Sequence, residues 1–80
     1  MKPIECAKLL PAEFKSPNGA SIRIAAAMVN AQTGDLTIRL VINEQSLGVV
    51  SFSARDLEPF ESAEALTAIL GQQIDRELAE

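Results

Sequence analysis

Ser21-Ile22-Arg23-Ile24-Ala25-Ala26-Ala27-Met28-Val29 and Leu36-Thr37-Ile38-Arg39-Leu40-Val41-Ile42 flank a short polar stretch containing Gln32-Thr33-Gly34. Ile22 and Ile24 in the first run, and Leu36, Ile38, Leu40 and Ile42 in the second, recur at every other position. That period places them on one face of a strand. Two such runs joined by a glycine-ended loop predict an antiparallel hairpin. A loop over Gln32–Gly34 of odd length matches even-numbered residues with even-numbered ones, so that Met28 faces Ile38, Ala26 faces Leu40 and Ile24 faces Ile42. A loop of even length would set Ile22 and Ile24 against polar positions, which a half-buried sheet rejects.

The same device recurs on both sides. Pro17-Asn18-Gly19 precedes the first run, and Ser46-Leu47-Gly48 follows the second. Proline at the first turn position supplies φ near −65°, and glycine tolerates the left-handed position that ends such loops. These loops set Phe14 opposite Ile22 and Ala12 opposite Ile24, and set Ile42 opposite Phe52 and Glu44 opposite Val50. The expectation is an α+β fold: a four-stranded antiparallel β-meander over 12–54, with strands near 12–16, 20–30, 35–44 and 48–54. One face carries Phe14, Ile22, Ile24, Met28, Leu36, Ile38, Leu40, Ile42, Val50 and Phe52 and needs a cover.

The cover follows in the chain. Ser62 is a good N-cap, and Leu66, Ile69, Leu70, Ile74 and Leu78 follow at helical spacing, predicting one C-terminal helix over 62–79 packed on that face. Gly71 marks either close packing on the sheet or a break. Ser53-Ala54-Arg55-Asp56 can cap a short turn. Residues 1–11 fit a short helix or an edge strand.

Eighty residues allow a single domain, 1–80. Of the 48% hydrophobic residues, twelve are alanine, which leaves a modest core of Ile, Leu and Val. A chain of this size is stable by about 4 to 12 kcal/mol, so extra burial in an oligomer is valuable. The lone Cys6 excludes an internal disulfide and points to a reducing, cytoplasmic setting. The opening Met1-Lys2-Pro3-Ile4-Glu5 lacks an apolar signal core, and no apolar run approaches the roughly 20 residues of a bilayer span.

Charge is distributed unevenly. Residues 1–55 hold six Lys/Arg against four acids, a net +2, whereas 56–80 hold only Arg76 against seven acids, a net −6. An acidic total of −4 without Trp or Tyr argues against direct nucleic-acid binding. Cys6 has no histidine to serve as its base, so nucleophilic catalysis lacks a partner. One cysteine and no histidine make a poor zinc donor set, and no glycine-rich phosphate cradle occurs. No enzyme, cofactor or metal site is expected.

Two surfaces remain as candidates for a protein partner. By parity the second sheet face carries Ser21, Arg23, Ala25, Ala27, Val29, Thr37, Arg39, Val41, Asn43, Val49, Ser51 and Ser53. Ala25 falls opposite Val41 and Ala27 opposite Arg39, giving a flat patch of small apolar side chains bordered by two arginines, a composition suited to an interface. Two plainer explanations fit as well: Val and Thr suit exposed strands, and residues 1–11 could fold over this face. The second surface is the acidic segment Asp56, Glu58, Glu61 and Glu64, which suits a basic partner.

The segment from Ser53-Ala54-Arg55-Asp56-Leu57 to the helix opening Ser62-Ala63-Glu64-Ala65-Leu66, following a short meander and a Met1-Lys2 start, resembles small phage-encoded anti-CRISPR proteins of type I systems. The resemblance implies a non-catalytic inhibitor that binds a multi-subunit CRISPR surveillance complex, a nucleoprotein, and blocks its access to DNA. It assigns no individual residue, and the tyrosines such inhibitors use for contacts are absent here. The expected function is therefore that of a small inhibitory interaction module. The alternative is a homodimer that pairs through the open sheet face.

Overall fold

The computed structural model describes residues 1–79. Four strands, β1 (Glu13–Lys15), β2 (Ser21–Val29), β3 (Leu36–Ile42) and β4 (Ser46–Phe52), form an antiparallel meander in the order β1-β2-β3-β4. Three helices accompany them: α1 (Pro3–Leu9), α2 (Ala54–Leu57) and α3 (Ala63–Ala79). The expected α+β meander with a C-terminal helix is thus the observed architecture, with α1 and α2 added. Residues 1–11 resolve into a helix begun by Pro3, where a missing N–H costs nothing.

All three helices contribute to one core on one face of the sheet. Cys6 of α1, Leu57 of α2 and Leu66, Leu70 and Ile74 of α3 cluster with Ile22, Leu36, Ile38, Leu40 and Ile42. Cover of the second face by residues 1–11 is thereby excluded, because Cys6 is fully buried in this cluster. The Ser62 hydroxyl accepts from the Ala65 N–H at 3.2 Å, capping α3, which runs unbroken through Gly71. Ser53 and Asp56 form a reciprocal capping box on α2: the Asp56 N–H donates to Ser53 Oγ and the Ser53 N–H to Asp56 Oδ2, each at 3.1 Å.

The first loop lies as expected. Gly19, at φ +90°, donates its N–H to the Ser16 carbonyl at 2.9 Å, and Phe14 pairs with Ile22. The second loop differs, because Asn30 N–H reaches the Asp35 carbonyl and Gly34 N–H the Asn30 carbonyl, so the loop spans 31–34 rather than 32–34. The even loop brings Met28 opposite Thr37 and Val29 opposite Leu36. A bulge at Ala25 then restores the parity, setting Ile22 opposite Ile42 and Ile24 opposite Leu40. The two one-residue departures add to a two-residue slide, which keeps Ile22 and Ile24 on the core face while changing their partners. The expected pairs Met28–Ile38, Ala26–Leu40 and Ile24–Ile42 are corrected accordingly, and Ala27 and Val29, rather than Met28, pack against the core.

The third loop is also displaced. Ser46, Leu47 and Gly48 belong to β4, and the chain reverses at Asn43–Gln45, where Asn43 and Glu44 have φ of +53° and +56°. The Gln45 N–H donates to the Ile42 carbonyl at 3.1 Å. Ile42 therefore pairs with Ser46 and Leu36 with Phe52, in place of Ile42–Phe52 and Glu44–Val50. Loops at 43–45 and 46–48 have the same parity, so face assignments in β4 survive the slide while its partners change. Asn43 leaves the sheet face for the turn, where its side chain accepts the Ser21 N–H at 2.9 Å, and Ser53 leaves it to cap α2.

Candidate functional site

The sheet face turned away from the helices is built in rows by the ladder. Glu13, Arg23, Val41 and Leu47 form one row across all four strands; Ala26, Arg39 and Val49 form the next; Met28, Thr37 and Ser51 form a third. Among the described residues no helix packs here, and Leu47 is 85% exposed, Val49 64% and Met28 52%. Large apolar side chains gathered on one uncovered face mark a contact surface more strongly than isolated ones. Thr37 and Ser51 hydroxyls join at 3.2 Å across β3 and β4, giving the third row a polar end.

The two arginines of the face have different surroundings. Arg23 Nε lies 3.3 Å from Glu44 Oε1, and Glu13 stands beside it on β1, so its charge is neutralised within the chain. Arg39 makes no ion pair among the described residues and lies between Ala26 and Val49. An arginine without an ion-pair partner, flanked on both neighbouring strands by apolar side chains, has the composition of an interface centre.

Of the expected face residues, Arg23, Arg39 and Val41 share this surface. Ala25 is exposed but sits at the bulge without a β3 partner, and Ala27 is turned to the core side, so neither faces Val41 or Arg39 as expected. Ala26 faces Arg39 instead. Alternation alone does not place Met28 and Leu47 on this face, because it registers neither the even loop nor the displaced turn. A run of three alanines was the available signal, since it allows a bulge at little steric expense.

The acidic segment lies on the helical side and divides. Asp56 is engaged in the α2 capping box, whereas Glu58, Glu61 and Glu64 are exposed around the junction of α2 and α3. Cys6 has no exposed surface; its thiol donates to Met1 Sδ at 3.2 Å, and burial pushes its pKa up, aided by Glu5 and opposed by the N-terminal charge. A raised pKa and lack of access make it a core residue. Among the described residues, no three His, Cys, Asp or Glu side chains are grouped to hold a metal ion, and no helix is long and apolar enough to cross a membrane. No family model, curated protein or solved structure matches the chain.

Proposed function

We propose that the chain is a non-catalytic interaction module that seats a protein partner on its open sheet face, with Arg39 at the centre of the contact. The observation that carries this reading is the row Ala26-Arg39-Val49, an unneutralised guanidinium flanked by apolar side chains on a face that no helix covers. Desolvating Arg39 is favourable only where the partner offers a carboxylate or backbone carbonyls, so the complementary surface is apolar with an acidic centre. The resemblance of Ser53–Leu66 to type I anti-CRISPR proteins gives the specific form of the proposal: an inhibitor that occupies a protein surface of a nucleoprotein complex without touching nucleic acid. A reducing, cytoplasmic setting belongs to the same proposal.

The test is capture from native host lysate by the tagged chain, in parallel with Arg39→Glu and with a triple variant Glu58→Lys, Glu61→Lys, Glu64→Lys, each checked by circular dichroism. A defined protein assembly retained by the triple variant and lost by Arg39→Glu supports the open face. Retention by Arg39→Glu with loss in the triple variant transfers the site to the acidic segment.

A further inference from the structure

The sheet has two edges, and they are built differently. β1 is only three residues long and carries Glu13 and Lys15, which are ordinary protections against pairing with another strand. β4 is seven residues, Ser46-Leu47-Gly48-Val49-Val50-Ser51-Phe52, without a charge, a proline or a bulge. Apart from its ladder to β3, no backbone hydrogen bond to β4 occurs among the described residues, so its outer amides and carbonyls are unpaired. An edge of roughly 20 Å at about 3.3 Å per residue, apolar and unprotected, is a template for a further strand.

We propose that the occupant is β4 of a second copy, paired antiparallel about a twofold axis through Val49. The pattern of the strand is what selects a copy of itself. Centred on Val49, the pairing sets Leu47 beside the partner's Ser51 and Gly48 beside the partner's Val50. The bare core side at Gly48, which lies opposite Leu40, then receives the side chain of a half-buried valine. Val49 meets its own copy, with Cβ atoms about 5 Å apart. An uncharged edge brings no like charges together, and it offers a foreign strand no electrostatic selection. Arg39 lies one strand in from Val49, so the two Arg39 residues of the dimer are separated by about three strand spacings, roughly 15 Å, beyond the Debye length in physiological salt. The product is one eight-stranded sheet with the helices of both copies on one side and both open faces continuous on the other. Stacking those open faces on one another would instead bury Arg39 without a partner.

This pairing does not depend on a host partner, so purified protein tests it separately from the proposal above. Sedimentation equilibrium is expected to give twice the 8.6 kDa chain mass at micromolar concentration. Val49→Lys and Val49→Glu, at an exposed site that leaves the core untouched, are each expected to halve that mass, and their equimolar mixture to restore it as a heterodimer. A wild-type chain that stays monomeric at high micromolar concentration overturns the proposal. So does a Val49→Lys chain that dimerises as the wild type does. Hydrogen exchange supplies a second readout: alternate β4 amides gain protection with concentration if the edge is paired, and no concentration dependence overturns it.

Discussion

Gly71 of α3 stands directly against Ser16 at the start of the first loop: a Cβ on Gly71 would lie 3.2 Å from the Ser16 Cα and equally close to Pro17 Cδ. The loop cannot retreat easily, because Ser16 holds it with its N–H to the Ala20 carbonyl, its carbonyl to the Gly19 N–H and its hydroxyl to the Ala20 N–H. The missing side chain is therefore a packing requirement of the helix on the hairpin.

Gly71→Ala places two effects in opposition. Helix propensity favours alanine by about 1 kcal/mol, while overpacking against backbone costs about 1 to 3 kcal/mol. A net loss of about 1 kcal/mol is expected, read as a lower midpoint in urea denaturation with unchanged slope. A higher midpoint would show that the loop yields.

The alanine run gives a test of the bulge. Removing one of Ala25, Ala26 and Ala27 leaves the same chain whichever is removed, and it turns the bulged ladder into a regular one with Ile24 still opposite Leu40 and the next alanine opposite Arg39. The deletion is expected to fold, with stability changed by no more than about 1 kcal/mol. In an unbulged sheet the same deletion would reverse Ile22 and Ile24 to the solvent side and unfold the chain, so thermal melting separates the two arrangements.

Glu44 occupies the left-handed region at φ +56° without the freedom of glycine, and its compensation is the ion pair with Arg23, whose side chains are 47% and 66% exposed. Exposed pairs are worth about 0 to 1 kcal/mol and are weakened by salt. Glu44→Gly creates an Asn-Gly turn, favoured where both central residues have positive φ. It is expected to be near neutral at low salt and stabilising by about 0.5 to 1 kcal/mol at 0.5 M salt, measured by chemical denaturation at both ionic strengths.

Burial raises the Cys6 pKa in the folded chain, whereas the unfolded chain ionises at the ordinary thiol value. Above that ordinary range the unfolded state releases a proton that the folded state retains, so unfolding is favoured as pH rises. Stability is thus fully present below the ordinary thiol range and declines through it. Cys6→Ala is expected to be less stable at neutral pH and to lack this part of the alkaline decline. Equal slopes for both chains above that range would show that Cys6 is not its source. The wild-type thiol is also expected to resist alkylation until the chain is unfolded.

Alternation and turn chemistry determined a great deal here on their own. The four-strand meander, the Pro17–Gly19 turn, the Phe14–Ile22 pair, the inward Leu36, Ile38, Leu40 and Ile42, the Ser62 cap and the placement of Arg23, Arg39 and Val41 on one face all follow from local preferences. These features rest on residues adjacent in the chain, whose preferences act before any packing.

Only the tertiary structure decided the rest. Alternation reports parity and is blind to a slide by an even number of residues, so it could not distinguish a turn at 43–45 from one at 46–48. It is equally blind to two single-residue shifts that together preserve parity: the even loop at 31–34, which sends Met28 outward and Ala27 inward, and the bulge at Ala25, which turns Ile24 and Ile22 back to the core. Pro3–Leu9 is a helix that buries Cys6 in the core shared with the sheet, a long-range burial that no local pattern in the segment specifies. The even loop and the displaced turn put Met28 and Leu47 on the second face, and the packing of the helices on the other side leaves them uncovered.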